Sequence, residues 1–224
     1  MRKDPGSWGS SNPTYLVLGF SKGATQADIY ANGSFDDVAF GGEITRRNLT
    51  NILRTDGLLR QDETVDEKIR STEKEFHFGS LVRCSLSRYD EKESERRKRP
   101  VYATSGPLIT KSFFEIPDVI SQCTNSFLAQ LPQSIKAVIV LGVTDSYVRS
   151  FRRKMRELHP HGFRDINLIA YENSRMLWVH LTHPSRGNGT LNAWLTRGAD
   201  DTSGHKKELA VEVLRKRRLC RVGG

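Results

Sequence analysis

The sequence has 224 residues, of which 37% are hydrophobic and 27% are charged, and its formal net charge at pH 7 is +9. The apolar content is enough for a folded core and excludes a fully disordered chain, and the lack of a long apolar run excludes a transmembrane helix. The positive charge makes a polyanion such as nucleic acid the first partner to consider.

The N-terminal residues 1–13 are polar and lack the apolar segment of a secretory signal, and we expect them to form a flexible arm. Three cysteines, Cys84, Cys123 and Cys220, are too few and too scattered for a disulfide framework. Both features favour the reducing cytoplasm. We expect one domain over residues 1–224, and a monomer.

Short apolar runs alternate with amphipathic segments along the chain, and this alternation predicts a mainly parallel α/β layer fold. Four runs predict buried strands, at residues 15–18, 76–82, 137–141 and 177–181. A further run, at residues 168–171, is a weaker strand candidate.

Three segments show the apolar spacing of helices. Pro117 suits the first turn of one helix, and Pro132 ends its apolar repeat. Thr144 can cap a second helix, whose apolar face begins at Val148. A last helix over residues 205–219 ends in a cationic turn, which suits the negative end of the helix dipole.

Residues 85–112 are polar and highly charged and show no hydrophobic period, so we expect a long charged loop there. Its basic run at residues 96–99 (RRKR) has two interpretations. It is either a solvated surface segment or a strap that follows phosphates.

Ligands of open α/β sheets bind beyond the carboxyl ends of the strands. Three loops lie in this position, at residues 19–26, 80–84 and 183–188. The first loop contains Gly19 and Gly23, which lack a Cβ and let the backbone approach a ligand. The third loop contains His183, which Pro184 holds in an extended conformation, although a His-Pro-Ser tripeptide is also typical of a plain turn.

Two other kinds of site are not predicted. His159 and His161 flank Pro160 without a nearby cysteine or aspartate to complete a metal site. The spacings of a hydrolase nucleophile (G-x-S-x-G) and of a Walker A loop are both missing.

The order and spacing of these segments resemble the uracil-DNA glycosylase superfamily over most of the chain. Residues 19–23 (GFSKG) lie where that family has its first motif. Residues 183–185 (HPS) match its second motif, which is the most specific signal. Residues 37–40 (DVAF) resemble the segment whose aromatic ring stacks on the flipped base, and residues 76–84 resemble the strand that carries the base-reading residue.

The resemblance implies a three-layer sandwich around a mainly parallel four-stranded sheet. It also implies a monofunctional DNA glycosylase of base excision repair. Such an enzyme flips uracil, and here other deaminated or modified bases, out of single- or double-stranded DNA and hydrolyses the N-glycosidic bond. No membrane is implied as a partner.

The resemblance also assigns roles to residues. His183 would donate a hydrogen bond to the leaving base, and Ser21 or Asp28 would position the water. Phe40 would stack on the base, with a place in the core as the alternative. The expected site residues are His183, Ser21 and Asp28 for catalysis; Gly19, Phe20, Phe40 and Ser80 for the base; and Lys22, Ser185, Arg186 and Asn188 for DNA.

The chain also departs from the family pattern. Ser21 and Lys22 stand where an Asp or Asn followed by Pro is common, Gly23 replaces a bulky Tyr, and Ser80 replaces the uracil-reading Asn. Without that ring and that amide, we expect a wider range of excised bases.

Residues 123–128 and 136–142 are similar to a helix and a strand of the iron–sulfur branch of the family. That branch has an N-terminal cysteine pair, which is missing here, and Cys84 and Cys123 alone cannot hold a cluster. We therefore expect no cofactor.

Two alternatives stay open. One is a catalytically weak member of the family that binds uracil-containing or abasic DNA, which Ser21 in place of an acid favours. The other is an unrelated nucleotide-binding α/β protein whose basic charge is incidental.

Overall fold

The computed structural model describes residues 6–23, 41–70, 72–104 and 106–221. At its centre is a seven-stranded mixed sheet with the strand order β1-β3-β2-β6-β9-β8-β7, and β4 and β5 pair separately. The strands are β1 (Trp8–Gly9), β2 (Tyr15–Lys22), β3 (Phe76–Ser85), β4 (Arg88–Tyr89), β5 (Tyr102–Ala103), β6 (Ala137–Leu141), β7 (Arg164–Asp165), β8 (Ala170–Glu172) and β9 (Leu177–Leu181).

The four predicted apolar runs form the parallel centre of this sheet, because β3, β2, β6 and β9 are adjacent and parallel. The prediction of a four-stranded sheet is wrong. Three short strands, β1, β8 and β7, add antiparallel pairs at the two edges. β8 overlaps the weaker candidate run at residues 168–171. β1 and β7 have two residues each, which is too short to show an apolar period, and the sequence pattern missed them.

Helices cover both faces of the sheet and make three layers. One core lies under α1, α2, α7 and α8, and includes Leu53, Trp194 and Leu214. The other lies under α4, α5 and α6, and includes Ile120 and Phe151. The helices are α1 (Glu43–Thr55), α2 (Val65–Lys68), α3 (Glu91–Arg97), α4 (Pro107–Glu115), α5 (Pro117–Phe127), α6 (Asp145–Leu158), α7 (Leu191–Thr196) and α8 (Thr202–Lys216).

The three predicted helices are present, with some differences at their ends. Pro117 begins α5 as predicted. Thr144 is the N-cap residue of α6, as predicted, although its side chain makes no capping hydrogen bond. The last helix begins three residues earlier than predicted, because the Asp201 carboxylate accepts hydrogen bonds from the N–H groups of Ser203 and Gly204.

The prediction of a long loop at residues 85–112 is wrong, because β4, α3, β5 and the start of α4 lie there. Asp90 caps α3, and Glu93 forms ion pairs with Arg96 and Arg97 within that helix. A helix stabilised by such pairs has little apolar surface and therefore no hydrophobic period to detect. Arg96 and Arg97 thus have partners of their own.

The predicted arm is also different over its described part, residues 6–13. Trp8 is buried, and β1 pairs with β3 so that Trp8 stands opposite Phe78. The side chain of one buried tryptophan anchors this segment to the sheet edge. None of the described helices is long and apolar enough to cross a membrane.

Candidate functional site

The carboxyl ends of β3, β2, β6 and β9 lie along one side of the sheet, which we call the carboxyl edge. Leu18, Val140 and His180 are in register across β2, β6 and β9. Ser21 and His183 each come three residues later, so they lie near the same height, two strand spacings or about 10 Å apart. The turn after β6 lies between them. This is the position in which open α/β sheets bind ligands.

The imidazole of His183 is held in one neutral form. The N–H of Ser185 donates to Nδ1 of His183 over 3.2 Å, so Nδ1 is an acceptor and the ring proton lies on Nε2. Burial lowers the pKa of His183 below its usual 6.5, which keeps the ring neutral at pH 7. Within the described ranges, Nε2 has no hydrogen-bond partner. The site therefore has a neutral N–H donor that no acceptor of the described residues occupies.

Asn188 holds the loop that carries His183. Its side-chain NH₂ donates to Thr182 Oγ1 over 2.9 Å and to the His183 carbonyl over 2.6 Å, and its Oδ1 accepts from the Thr190 N–H. Asn48 on α1 donates to the Pro184 carbonyl over 2.9 Å. These bonds use both of its N–H donors, so Asn188 stabilises the loop, and its contact with DNA stays a prediction.

The two residues after the His-Pro pair lie nearer to solvent. Ser185 is partly buried, and Arg186 is exposed. Arg186 has no ion pair within the part of the chain that the structure describes. The contacts of Ser185 and Arg186 with DNA stay predictions, and the position of both residues beside His183 is compatible with such contacts.

The first predicted loop is mostly strand, because β2 continues through Lys22 instead of ending at Leu18. Gly19 pairs with Ser80 inside the sheet. The ring of Phe20 is buried, with its centroid 6.0 Å from that of Phe113 and 6.1 Å from that of Tyr147. Strand alternation directs this ring into the core, and its contact with the base stays a prediction.

The other predicted residues of this region also lie deep. Ser80 is 5% exposed and lies opposite Gly19, so neither residue reaches the carboxyl edge as a base contact. Lys22 is 2% exposed, with its Cδ beside Gly6, and does not fit the prediction of a DNA contact on the surface. Ser21 is partly buried and remains next to the edge.

Two predicted residues cannot be placed. Asp28 and Phe40 lie outside the described residues. Gly23, the position of the missing bulky ring, is the last described residue of its segment and is partly buried.

His180, which the sequence pattern did not single out, positions the neighbouring turn. Its Nδ1 donates to the Gly142 carbonyl over 2.9 Å, and its Nε2 accepts from the Tyr171 hydroxyl over 3.1 Å. Burial lowers the pKa of His180 to about 3, so the ring is neutral. Gly142 has a φ of 137°, and a Cβ there would lie 2.8 Å from the Tyr147 ring. A histidine inside the apolar run LWVHL was the available signal.

No metal centre is found within the described residues, because no three His, Cys, Asp or Glu side chains come close enough to share an ion. Cys84, Cys123 and Cys220 are free thiols. The expectation that no cofactor is bound stays a prediction.

Comparisons with known proteins do not assign this chain to a family. The scan against protein-family models gives no match for this chain, and the search of curated proteins finds none that is similar to it. The resemblance to uracil-DNA glycosylases depends on the residues quoted for it, and the function it implies is a proposal.

Proposed function

We propose that this protein is a DNA glycosylase that removes uracil, and other deaminated or modified bases, from DNA by base flipping. The observation that carries the proposal is the neutral Nε2–H donor of His183 at the carboxyl edge. The enzyme hydrolyses the N-glycosidic bond within base excision repair in the cytoplasm, and it acts as a monomer.

His183 stabilises the leaving base. Cleavage of the N-glycosidic bond leaves negative charge on the oxygen atoms of the base, and a fixed donor beside one of them lowers the energy of the transition state more than that of the ground state. Since the Ser185 N–H fixes the tautomer, His183 donates without first having to bind a proton or rotate.

Ser21 is the described candidate for holding the attacking water. It lies near the height of His183, on the other side of the turn at Gly142. A hydroxyl orients water but does not remove its proton efficiently, so Asp28 remains the proposed partner if its carboxylate approaches Ser21. An oxocarbenium-like sugar beside an anionic base needs only a positioned water.

DNA binds through phosphate contacts around the same loop. Arg186 is exposed next to His183, and the chain carries a net charge of +9. Contacts of cations with phosphates supply most of the affinity and make it dependent on salt. Arg186 would contact the strand that holds the flipped nucleotide, and Ser185 would bind a phosphate through its hydroxyl.

The test is a gel assay with a uracil-containing oligonucleotide and a matched thymine control. Strand breaks after alkali that appear only with uracil support the proposal, and His183→Ala should remove them. His205→Ala is the matched control, because His205 is exposed on α8 and should leave excision unchanged. The absence of both strand breaks and a band shift would refute the proposal.

A second function is favoured by one specific observation, which is the hydroxyl of Ser21 in place of a carboxylate. A member of the same family without a strong water-activating group would bind uracil-containing or abasic DNA and release little base. In the same assay, it would shift the band without producing strand breaks.

A further inference from the structure

A cavity of about 250 Å³ lies away from the carboxyl edge, on the face of the sheet that α5 covers. Pro13 and Pro132 in its wall precede β2 and β6, so the cavity lies toward the amino ends of the parallel strands. Its polar lining includes Arg83 and His77 from β3. Arg83 follows Val82, the register partner of Ser21, but its guanidinium donates to Ser7, which precedes Trp8, the partner of Phe78. The guanidinium therefore lies toward the amino half of β3, away from His183.

Arg83 is the charged group of this cavity. Its guanidinium stacks on the Phe127 ring, with the central carbon 4.4 Å from the ring centroid, and one of its nitrogens donates to Ser7 Oγ over 3.1 Å. Arg83 is partly buried, and it forms no ion pair with a carboxylate in the described segments. Burial lowers the pKa of Arg83 below 12.5, but the guanidinium stays charged at neutral pH.

Two other partly buried arginines of this chain have carboxylate partners. Arg221 pairs with Glu63 and Glu75, and its side chain is 16% exposed. The Arg46 side chain is 19% exposed and pairs with Asp66. Removing a cation from water is costly unless an anion is close by. A third, Arg54, donates to the Glu63 backbone carbonyl, whereas the described hydrogen bond of Arg83 goes to the Ser7 hydroxyl. Among the described residues, no anion therefore balances the charge of Arg83, which points to a bound anion.

The rest of the lining is suited to an anion but supplies none. Nδ1 of His77 donates to the Ser10 carbonyl over 2.7 Å, and burial lowers the pKa of the ring, so His77 is neutral. Ser10 and Ser126 add hydroxyl groups, which can donate to an oxyanion. The formal charge of the described lining is therefore that of Arg83, and it is positive.

We propose that this cavity binds a small oxyanion, namely inorganic phosphate or the phosphate group of a small molecule, on the planar fork of Arg83. A guanidinium binds two oxygens of a phosphate at once, and stacking on Phe127 fixes the plane of the fork. Apolar side chains such as Leu131 and Ile135 complete the wall and limit the ligand to a compact one.

The first test measures the melting temperature with inorganic phosphate against chloride at equal ionic strength. We expect phosphate well above its dissociation constant to raise the melting temperature by about 2–4 °C. Arg83→Gln should lose this shift. Arg153→Gln should keep it, since Arg153 is an exposed arginine that stacks on the Phe114 ring outside the cavity and has no ion pair in the described segments. No shift in the wild type, or an equal shift in Arg83→Gln, would overturn the proposal.

A second variant keeps the test decisive if Arg83→Gln does not fold. Ser7→Asp places a carboxylate where Ser7 Oγ now accepts from Arg83. This variant should melt higher than the wild type without phosphate and should no longer respond to phosphate. An undiminished response in Ser7→Asp would contradict a site on Arg83.

The source of the phosphate is distinguished by a third arm with a short thymidine oligonucleotide. We expect any shift that it causes to be the same in the wild type and in Arg83→Gln, because DNA binds at the carboxyl edge. If the oligonucleotide shift required Arg83 and free phosphate had no effect, the ligand would be a nucleic-acid phosphate and the small oxyanion would be refuted.

Discussion

Asp56 should make the stability of this protein fall as the pH rises through neutrality. Asp56 follows α1 and is 0% exposed, and both of its carboxylate oxygens lie 3.2 Å from Nε1 of Trp194. Burial raises the pKa of Asp56 from 3.8 to about 8, against the opposing effects of the Trp194 hydrogen bond and the charge of Lys207. The folded protein therefore keeps a proton that the unfolded chain has released.

The sign and size of the effect follow from proton linkage. Between the unfolded value of 3.8 and the folded value of about 8, the folded state binds one more proton, so raising the pH favours unfolding. The loss is about 1.4 kcal/mol per pH unit, or about 1.3 kcal/mol between roughly pH 6.5 and 7.5. For a chain of this length, that is a fall of about 3–5 °C in the melting temperature.

The assay compares the wild type with Asp56→Asn by denaturant unfolding across this pH range. Asparagine keeps an oxygen acceptor for the Trp194 N–H but cannot ionise, so its stability should change less with pH. Histidines titrate equally in both proteins and cancel in the difference. Parallel stability curves for the two proteins would refute the reasoning, because Asp56 would then have the same pKa in both states.

Three further predictions concern groups around the core. His180→Leu should cost about 2–5 kcal/mol in unfolding free energy, since it leaves the Gly142 carbonyl and the Tyr171 hydroxyl unpaired. It should also remove the stability that the wild type loses as the pH falls from 6.5 toward about 3, which acid titration of both proteins checks. Gly142→Ala should cost about 1–3 kcal/mol, because of the positive φ and the Tyr147 ring, and an unchanged melting temperature would contradict this. Burial alone would raise the pKa of Glu63, but hydrogen bonds and nearby cations lower it to about 2, so its stabilisation is present above 4.5 and is lost as the pH falls toward 2. Glu63→Gln should therefore be about 2 kcal/mol less stable at neutral pH and less sensitive to acid, as measured by denaturant unfolding.

The centre of the fold was predictable from the sequence because its strands are buried on both faces. Such strands show as continuous apolar runs, as at residues 137–141 and 177–181. Helix α3 was not predictable in this way, because Glu93, Arg96 and Arg97 stabilise it through charges instead of an apolar face. β1 was missed because one buried side chain, Trp8, gives no period.

The candidate site was predictable only where local sequence decides local structure. The His-Pro-Ser segment forms the turn that fixes His183, and the prediction of a loop after β9 is confirmed. Phe20 and Lys22 were misplaced, because the point where β2 ends depends on its pairing with β3 rather than on its own residues. His180 was missed, since a neutral histidine in a strand resembles an ordinary core residue until its two partners are known.

The central claim is that His183 donates a hydrogen bond to the leaving base. The most direct test is single-turnover excision of uracil with enough enzyme to bind all of the DNA. The rate for His183→Ala should fall about 100- to 1,000-fold below that of the wild type, while DNA affinity changes little, because phosphate contacts supply most of it. His205→Ala should react at the wild-type rate. An unchanged rate in His183→Ala, with only the melting temperature and the affinity reduced, would show that His183 merely shapes its turn and would contradict the account.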